Sequence, residues 1–245
     1  MRCPQRRRRD GCAMKKKVLI TGASRGIGFE TARRFAESGY AVYALWHNAP
    51  ERLSEVGTLD ITPVHGDVSS AASVEALAKE VGEIDILINN AAISHFGLLP
   101  DLTEVEWDEI MAVNLKSIFL LSRALLPAMI RRKSGKIINI SSIFGVVGGS
   151  CEVAYSAAKA GVIGFTKALA KEVGPSGVQV NCIAPGVIDT EMNARLSKED
   201  LAALCEETPL GRIGTPADVA KLALFLAEDE FITGEVINIG GGYMQ

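Results

Sequence analysis

Tyr155 and Lys159 stand four residues apart in a stretch with helical period, so both side chains project from one face of a helix. A free phenol titrates at about 10, too weak an acid to exchange protons readily at neutral pH. An ammonium about 4 Å away, at an effective dielectric of about 20, favours the phenolate by roughly 4 kcal/mol, or about 3 pKa units. That would bring Tyr155 to about 7, where a general acid or base works best. Burial opposes the shift, so the figure is an upper bound. Ser142, thirteen residues before Tyr155, adds a hydroxyl able to hold a carbonyl oxygen while the phenol protonates it. The trio suits addition of hydride and a proton across a C=O bond, provided a hydride donor binds beside it.

A place for such a donor lies near the start of the chain. Val18-Leu19-Ile20 runs into Thr21-Gly22-Ala23-Ser24-Arg25-Gly26-Ile27-Gly28, which opens a helical pattern. Glycines at 22, 26 and 28 permit a tight turn and let the backbone, from Gly22 through Ser24, Arg25 and Ile27, approach a pyrophosphate at the N-terminus of the helix. The spacing T-G-x-x-x-G-x-G departs from the usual G-x-G-x-x-G, and a purely structural glycine turn remains the alternative. Dinucleotide sites normally end the second strand with an acid that binds the ribose hydroxyls. Here that position reads Trp46-His47-Asn48, and the nearest acid is Glu51. No carboxylate there repels a 2'-phosphate and Arg25 can pair with one, so NADPH is expected over NADH. His47 is a candidate phosphate or adenine contact, or merely an exposed loop residue.

The elements that must position these residues alternate. Val18–Ile20, Ala41–Leu45, Ile84–Ile88, Lys136–Ile140, Val178–Ile183 and Val236–Ile239 predict strands, and Ile61–His65 a weaker seventh. Helical periods lie near 27–38, 71–81, 104–132, 152–173 and 216–227. Strands apolar on both faces and separated by helices predict an α/β fold, a single-domain, doubly wound (Rossmann) parallel sheet of about seven strands with helices on both faces. Its ligand should lie at the carboxyl ends of the strands, where Ser142 follows the strand 136–140.

These residues resemble the short-chain dehydrogenase/reductase family over nearly the whole chain from Met14 to Gln245. Besides the glycine loop the likeness rests on Asp67-Val68, Asn89-Asn90-Ala91-Ala92, Asn114, Ser142, Tyr155-Ser156-Ala157-Ala158-Lys159, Pro185-Gly186 and Thr190. Leu210-Gly211-Arg212-Ile213-Gly214-Thr215-Pro216 and Phe231-Ile232-Thr233-Gly234 are most similar to the 3-oxoacyl-acyl-carrier-protein reductases within it. The resemblance implies that Asn114 keeps a water in contact with Lys159 and that Lys159 also binds the nicotinamide ribose. It further implies that Asp67 and Val68 contact adenine, that Asn90 with Ala91 braces the central strand beside the cofactor, and that Ile188 and Thr190, beyond Pro185-Gly186, meet the carboxamide. Two positions depart from the family pattern. Ala92 stands where N-N-A-G is usual, raising the question of a positive φ there, and Gly240-Gly241-Gly242 replaces acid-Gly-Gly.

Composition excludes several classes. With 245 residues, 48% hydrophobic and 22% charged, the chain is neither disordered nor fibrous. Residues 1–13 (MRCPQRRRRDGCA) carry five arginines and one acid against a formal net charge of −3. Without this basic extension, expected to be disordered or non-native, 21 basic and 28 acidic residues remain, or −7. An acidic body disfavours nucleic acid. Cys3, Cys12, Cys151, Cys182 and Cys205 show no C-x-x-C pair and read as reduced thiols. No metal site is expected, no apolar run suggests a membrane span or signal peptide, and a cytoplasmic location follows by default. A lid is expected near 187–210, with Met192, Leu196, Leu201 and Leu204 on one apolar face; His95 and Phe96 are taken as exposed loop residues at the pocket edge. Arg131, Arg132, Lys133 and Lys171 form a candidate basic dock for an acyl carrier protein, or simply a solvated helix end. Small residues at 157, 158, 160, 161 and 164 suggest close packing between subunits, and a homotetramer is expected from the resemblance. The alternatives are a reductase of another carbonyl (a small ketone or aldehyde, a sterol, an aminoketone on a modified protein) and a non-catalytic nucleotide sensor, which would be expected to lose Tyr155 or Lys159.

Overall fold

A computed structural model describes residues 15–243 apart from 49 and 195; the basic extension 1–13 lies outside the described residues. Seven strands, β1 (Lys17–Thr21), β2 (Ala41–Trp46), β3 (Ile61–His65), β4 (Ile86–Asn89), β5 (Gly135–Ile140), β6 (Val178–Pro185) and β7 (Val236–Ile239), form one sheet in the order β3-β2-β1-β4-β5-β6-β7. Every pairing is parallel. The order reverses between β1 and β4, and in open α/β sheets this switch point is where ligands bind, at the carboxyl ends of the strands.

Alternation along β1 shows why the sheet needs cover on both sides. Val18 and Ile20 enter a core under α1 (Gly26–Glu37) and α8 (Pro216–Glu228), while Leu19 enters the opposite core with Leu121, Met129 and Val180. That second face is covered by α2 (Ala71–Val81), α4 (Ser117–Arg132) and α6 (Val153–Val173). Truncating a side chain such as fully buried Leu19 to alanine should cost about 2–5 kcal/mol.

The expected 104–132 helix is divided. α3 (Glu104–Met111) starts at a capping box between Thr103 and Glu106, a π turn spans Ala112–Lys116, and α4 follows. The extra residue of the π turn falls around Asn114, and such bulges recur at functional sites. By length and composition 104–132 could cross a bilayer. It instead buries Ile110, Leu120, Leu121, Leu125 and Met129 within the protein. A short helix absent from the sequence reading, α5 (Phe144–Val147), and α7 (Lys198–Glu207), which falls in the weakly helical stretch of the expected lid, complete the fold.

The small residues of α6 divide between two uses. Ala158 is fully buried, and a Cβ on Gly161 would sit 2.8 Å from Leu115, so these two serve packing within the chain rather than between subunits. Ala157, Ala160 and Gly164 remain exposed.

Candidate active site

The carboxyl ends of β1, β2, β4, β5 and β6 open into one cleft of about 650 Å³. At one end lie Gly22, Ser24, Arg25, Gly26 and Ile27, with Trp46 and His47 from the end of β2. Asp67 and Val68 follow β3, Asn90 and Ala91 follow β4, and Ser142 follows β5. Tyr155 and Lys159 project from α6, and Pro185, Gly186, Ile188 and Thr190 close the far wall. Gly28 and Asn114 do not line the cleft; both act through neighbours.

The glycine loop is built for close backbone approach. Gly22 and Gly26 adopt φ of +63° and +51°. A Cβ on Gly28 would lie 2.1 Å from the Gly22 carbonyl oxygen, so its role is to seat α1 against the loop. The Asn90 side-chain amide donates to the carbonyls of Thr21 (2.9 Å) and Gly22 (3.2 Å). Thr21 Oγ1 accepts from the amides of Asn90 and Ala91, both at 2.9 Å, a brace that sequence reading missed although a threonine closing β1 ahead of the glycines was visible. Arg25, the N-cap residue of α1, makes no side-chain cap, leaving the first amides of the helix to an anion in the cleft. On the opposite wall a Cβ on Gly186 would meet Gly240 Cα at 2.7 Å, so position 186 demands glycine, whereas a Cβ on the unusual Gly240 would stand 3.3 Å from Gly186 Cα, tight but not prohibitive. Ala92 is not among the residues with positive φ, so its methyl carries no backbone strain. Helix terminus, loop shape and far wall together fit a dinucleotide.

At the reacting end Tyr155 and Lys159 are buried, with the Lys159 Nζ 5.6 Å from the Tyr155 ring centroid. Nζ donates to the Ile140 carbonyl at 2.9 Å, tying the amine to the end of β5. Ser142 Oγ accepts from the Phe144 amide at 3.1 Å, and its hydroxyl hydrogen-bonds the Tyr155 phenol. The expectation that the ammonium brings Tyr155 to about 7 does not hold in the cofactor-free chain. Burial pushes the phenol up to about 12, offset in part by the Ser142 hydroxyl, with the Glu152 charge acting upward. Desolvation also lowers Lys159 to about 8, against the pull of Cys182. Loss of water is the largest influence on both groups.

Asn114 is fully buried, and its side chain clamps one backbone unit beside the cleft. It accepts from the Ile93 amide at 2.9 Å and donates to the Ile93 carbonyl at 2.8 Å. Burial raises the Asp67 carboxyl, but hydrogen bonds from the Ser69 hydroxyl and amide, with the charge of His47, outweigh it and hold Asp67 below its usual range.

Other expectations need correction. His95 is half-buried and faces Glu106 at 3.7 Å, while Phe96 is exposed; Ile93 and Ser94 line the cleft instead. The lid does not present one apolar face to the site, because Met192 borders the cleft whereas Leu196 and Leu201 line a separate cavity of about 630 Å³ behind it. The proposed basic patch is partly offset and stays net positive: Glu83 is shared by Arg131 (3.2 Å) and Arg132 (2.9 Å), with Lys133 and Lys171 outside this cluster. Cys151, Cys182 and Cys205 are free thiols.

Residues 16–201 match the family model described as short chain dehydrogenase. The chain is 43% identical to the 3-oxoacyl-(acyl-carrier-protein) reductase FabG of Chlamydia trachomatis over 95% of this chain and 98% of that protein. It is 40% identical to the Escherichia coli reductase of the same name, over 93% and 96% respectively. Among solved structures it is similar to one assigned as a gluconate dehydrogenase from Agrobacterium tumefaciens, with a TM-score of 0.87, 31% identity, and coverage of 93% of this chain and 95% of that one.

Proposed function

The chain belongs to the short-chain dehydrogenase family, and from that premise we propose that it is an NADPH-dependent reductase converting the 3-oxo group of an acyl chain on acyl carrier protein to a secondary alcohol. The observation that carries the reading is the buried Tyr155, Lys159 and Ser142 cluster in the same cleft as a glycine loop open to a pyrophosphate.

Hydride for the carbonyl carbon comes from the reduced nicotinamide when it is bound. Ser142, anchored by the Phe144 amide, turns its hydroxyl from the phenol to the carbonyl oxygen of a bound substrate, and Tyr155 delivers its proton to that oxygen as negative charge develops there. Lys159, anchored on Ile140, supplies the positive charge that makes a high-pKa phenol a usable acid. Asn114, through the backbone at Ile93, marks where solvent replaces the proton by way of Lys159. The phosphate-bearing dinucleotide is favoured because the adenosine end carries Arg25 and His47 and no acid directly after β2.

The carrier protein would meet Lys133 and Lys171, and the exposed Ala157, Ala160 and Gly164 on α6 suit close packing of a second copy in a homotetramer working in the cytoplasm. The relatives at 40–43% identity favour the oxoacyl substrate. The resemblance to a gluconate dehydrogenase keeps a reductase of another carbonyl as the second reading. Consumption of NADPH with an acetoacetyl thioester, compared with simple ketones and aldehydes, separates the two. We expect kcat/KM to favour the thioester by at least about 100-fold; equal or reversed preference supports the second reading.

A further inference from the structure

We propose, resting on the NADPH reading above, that His65 is a specificity-determining residue of the dinucleotide site: it fixes the His47 segment at the adenosine end, and the two imidazoles together make retention of a 2'-phosphorylated dinucleotide proton-linked. His65 ends β3, and the parallel register pairs it with Trp46 at the end of β2, so the two strand ends meet at one corner of the cleft. The His65 ring lies 4.6 Å from the Trp46 ring and 6.0 Å from the His47 ring. Its Nε2 stands 3.2 Å from the His47 carbonyl oxygen, which can only accept, so Nε2 carries the proton in this contact. The next residue, Gly66, donates its amide to the Trp46 carbonyl at 3.0 Å. Two adjacent carbonyls of the β2 exit are thus held from β3, and His65 supplies one of the two bonds.

The charged groups around this corner set the sign. Arg25 approaches from the glycine loop and His47 from the β2 exit, and both line the cleft. Asp67, from the turn after β3, is the facing acid, and its carboxylate already accepts from the Ser69 amide (2.8 Å) and hydroxyl (2.7 Å). An exposed imidazole ordinarily gains its proton at about pH 6.5. A 2'-phosphate brings nearly two negative charges at neutral pH, so its binding favours protonation of His47, which lines the cleft, and more weakly of His65 behind it, whereas NADH brings no charge to this corner. Reciprocity then requires the affinity ratio of NADPH over NADH to grow as pH falls.

The test measures dissociation constants of both dinucleotides by nicotinamide fluorescence at pH 6.5, 7.5 and 8.5, with calorimetry in two buffers to count protons taken up. Thermal melting reports on folding of each variant. For the wild-type chain we expect the ratio to rise about tenfold from pH 8.5 to 6.5, with net proton uptake for NADPH only. His65→Ala should lower the ratio about fivefold at pH 6.5 and flatten its pH dependence. His65→Gln retains an N–H donor for the His47 carbonyl, so it should recover the ratio at pH 8.5 but not the slope. A ratio and slope in His65→Ala equal to wild type overturn the inference while leaving the NADPH reading intact. NADH binding as tightly as NADPH to the wild-type chain overturns both.

Discussion

The backbone of Gly145 presses directly on that of Lys159. A Cβ built on Gly145 would lie 2.7 Å from the Lys159 carbonyl carbon, and Ser141 Oγ donates to the same carbonyl at 2.8 Å. Helix α5 and the end of β5 therefore set the height of α6, and with it the depth at which the Lys159 amine reaches Ile140. Gly145→Ala should force these elements apart at a cost of about 1–3 kcal/mol. The displaced amine should lower kcat at least about tenfold. Thermal unfolding and steady-state kinetics check both; unchanged kcat would mean that the contact does not position Lys159.

Burial of the reacting pair has a signature in pH. Lys159 has a folded pKa of about 8, below the unfolded value of about 10.5, so charging the buried amine penalises the folded state below pH 8. The penalty fades as pH rises from 8 to about 10.5. Tyr155, raised to about 12, remains protonated when folded, so the native state loses stability above about pH 10 as the unfolded phenol ionises. Any stability advantage of Lys159→Met over the wild-type, cofactor-free chain at pH 7 should shrink by up to about 3 kcal/mol on moving to pH 10.5, measured by denaturant unfolding. A gap independent of pH would contradict a desolvated ammonium.

Cofactor preference should be reversible by a local change. Arg25→Ala with Trp46→Asp removes a cation and places a carboxylate where the ribose hydroxyls bind, both at the edge of the cleft. Two charge-assisted contacts are together worth about 3 kcal/mol, so kcat/KM for NADPH relative to NADH should fall about 100-fold. A double variant that still prefers NADPH would refute the electrostatic assignment.

Much of this was legible in the sequence because the signals were local. The strand runs 18–20 and 136–140, the glycine loop and the four-residue spacing of Tyr155 and Lys159 depend on neighbours in the chain, and the structure brings them to one cleft. Contacts between distant elements were not legible. The pairing of Arg131 and Arg132 with Glu83 joins residues some fifty positions apart and offsets part of the charge of the basic patch. The His65 contact needs the β2–β3 register, and the π turn at Asn114, whose side chain clamps Ile93, is a feature that no helical period announces. For the acidity of Tyr155 spacing gave only an upper bound on the effect of a nearby charge, because the size of the opposing burial penalty depends on the packing around the phenol.

A further prediction concerns the turn leading into α8, next to the lid. Asp218 accepts from the Thr215 amide (2.9 Å), the Thr215 hydroxyl (2.9 Å) and Arg212 (2.8 Å). The Arg212 guanidinium and the Thr215 amide hold its carboxyl well below the usual range. A depressed carboxylate contributes stability that is full above the unfolded pKa of about 3.9 and is lost as pH falls towards the folded value. Asp218→Asn should cost about 1 kcal/mol at pH 7, and the difference should narrow in acid. Equal stability of the two proteins at pH 7 would show that this cap contributes nothing.

The most direct measurement is the turnover of Tyr155→Phe with NADPH and an acetoacetyl thioester, alongside the dissociation constant for NADPH. The phenol hydroxyl is the proton donor in this account, so kcat should drop by at least about 1,000-fold while NADPH binding stays within about threefold. Turnover within tenfold of wild type would remove Tyr155 from the chemistry.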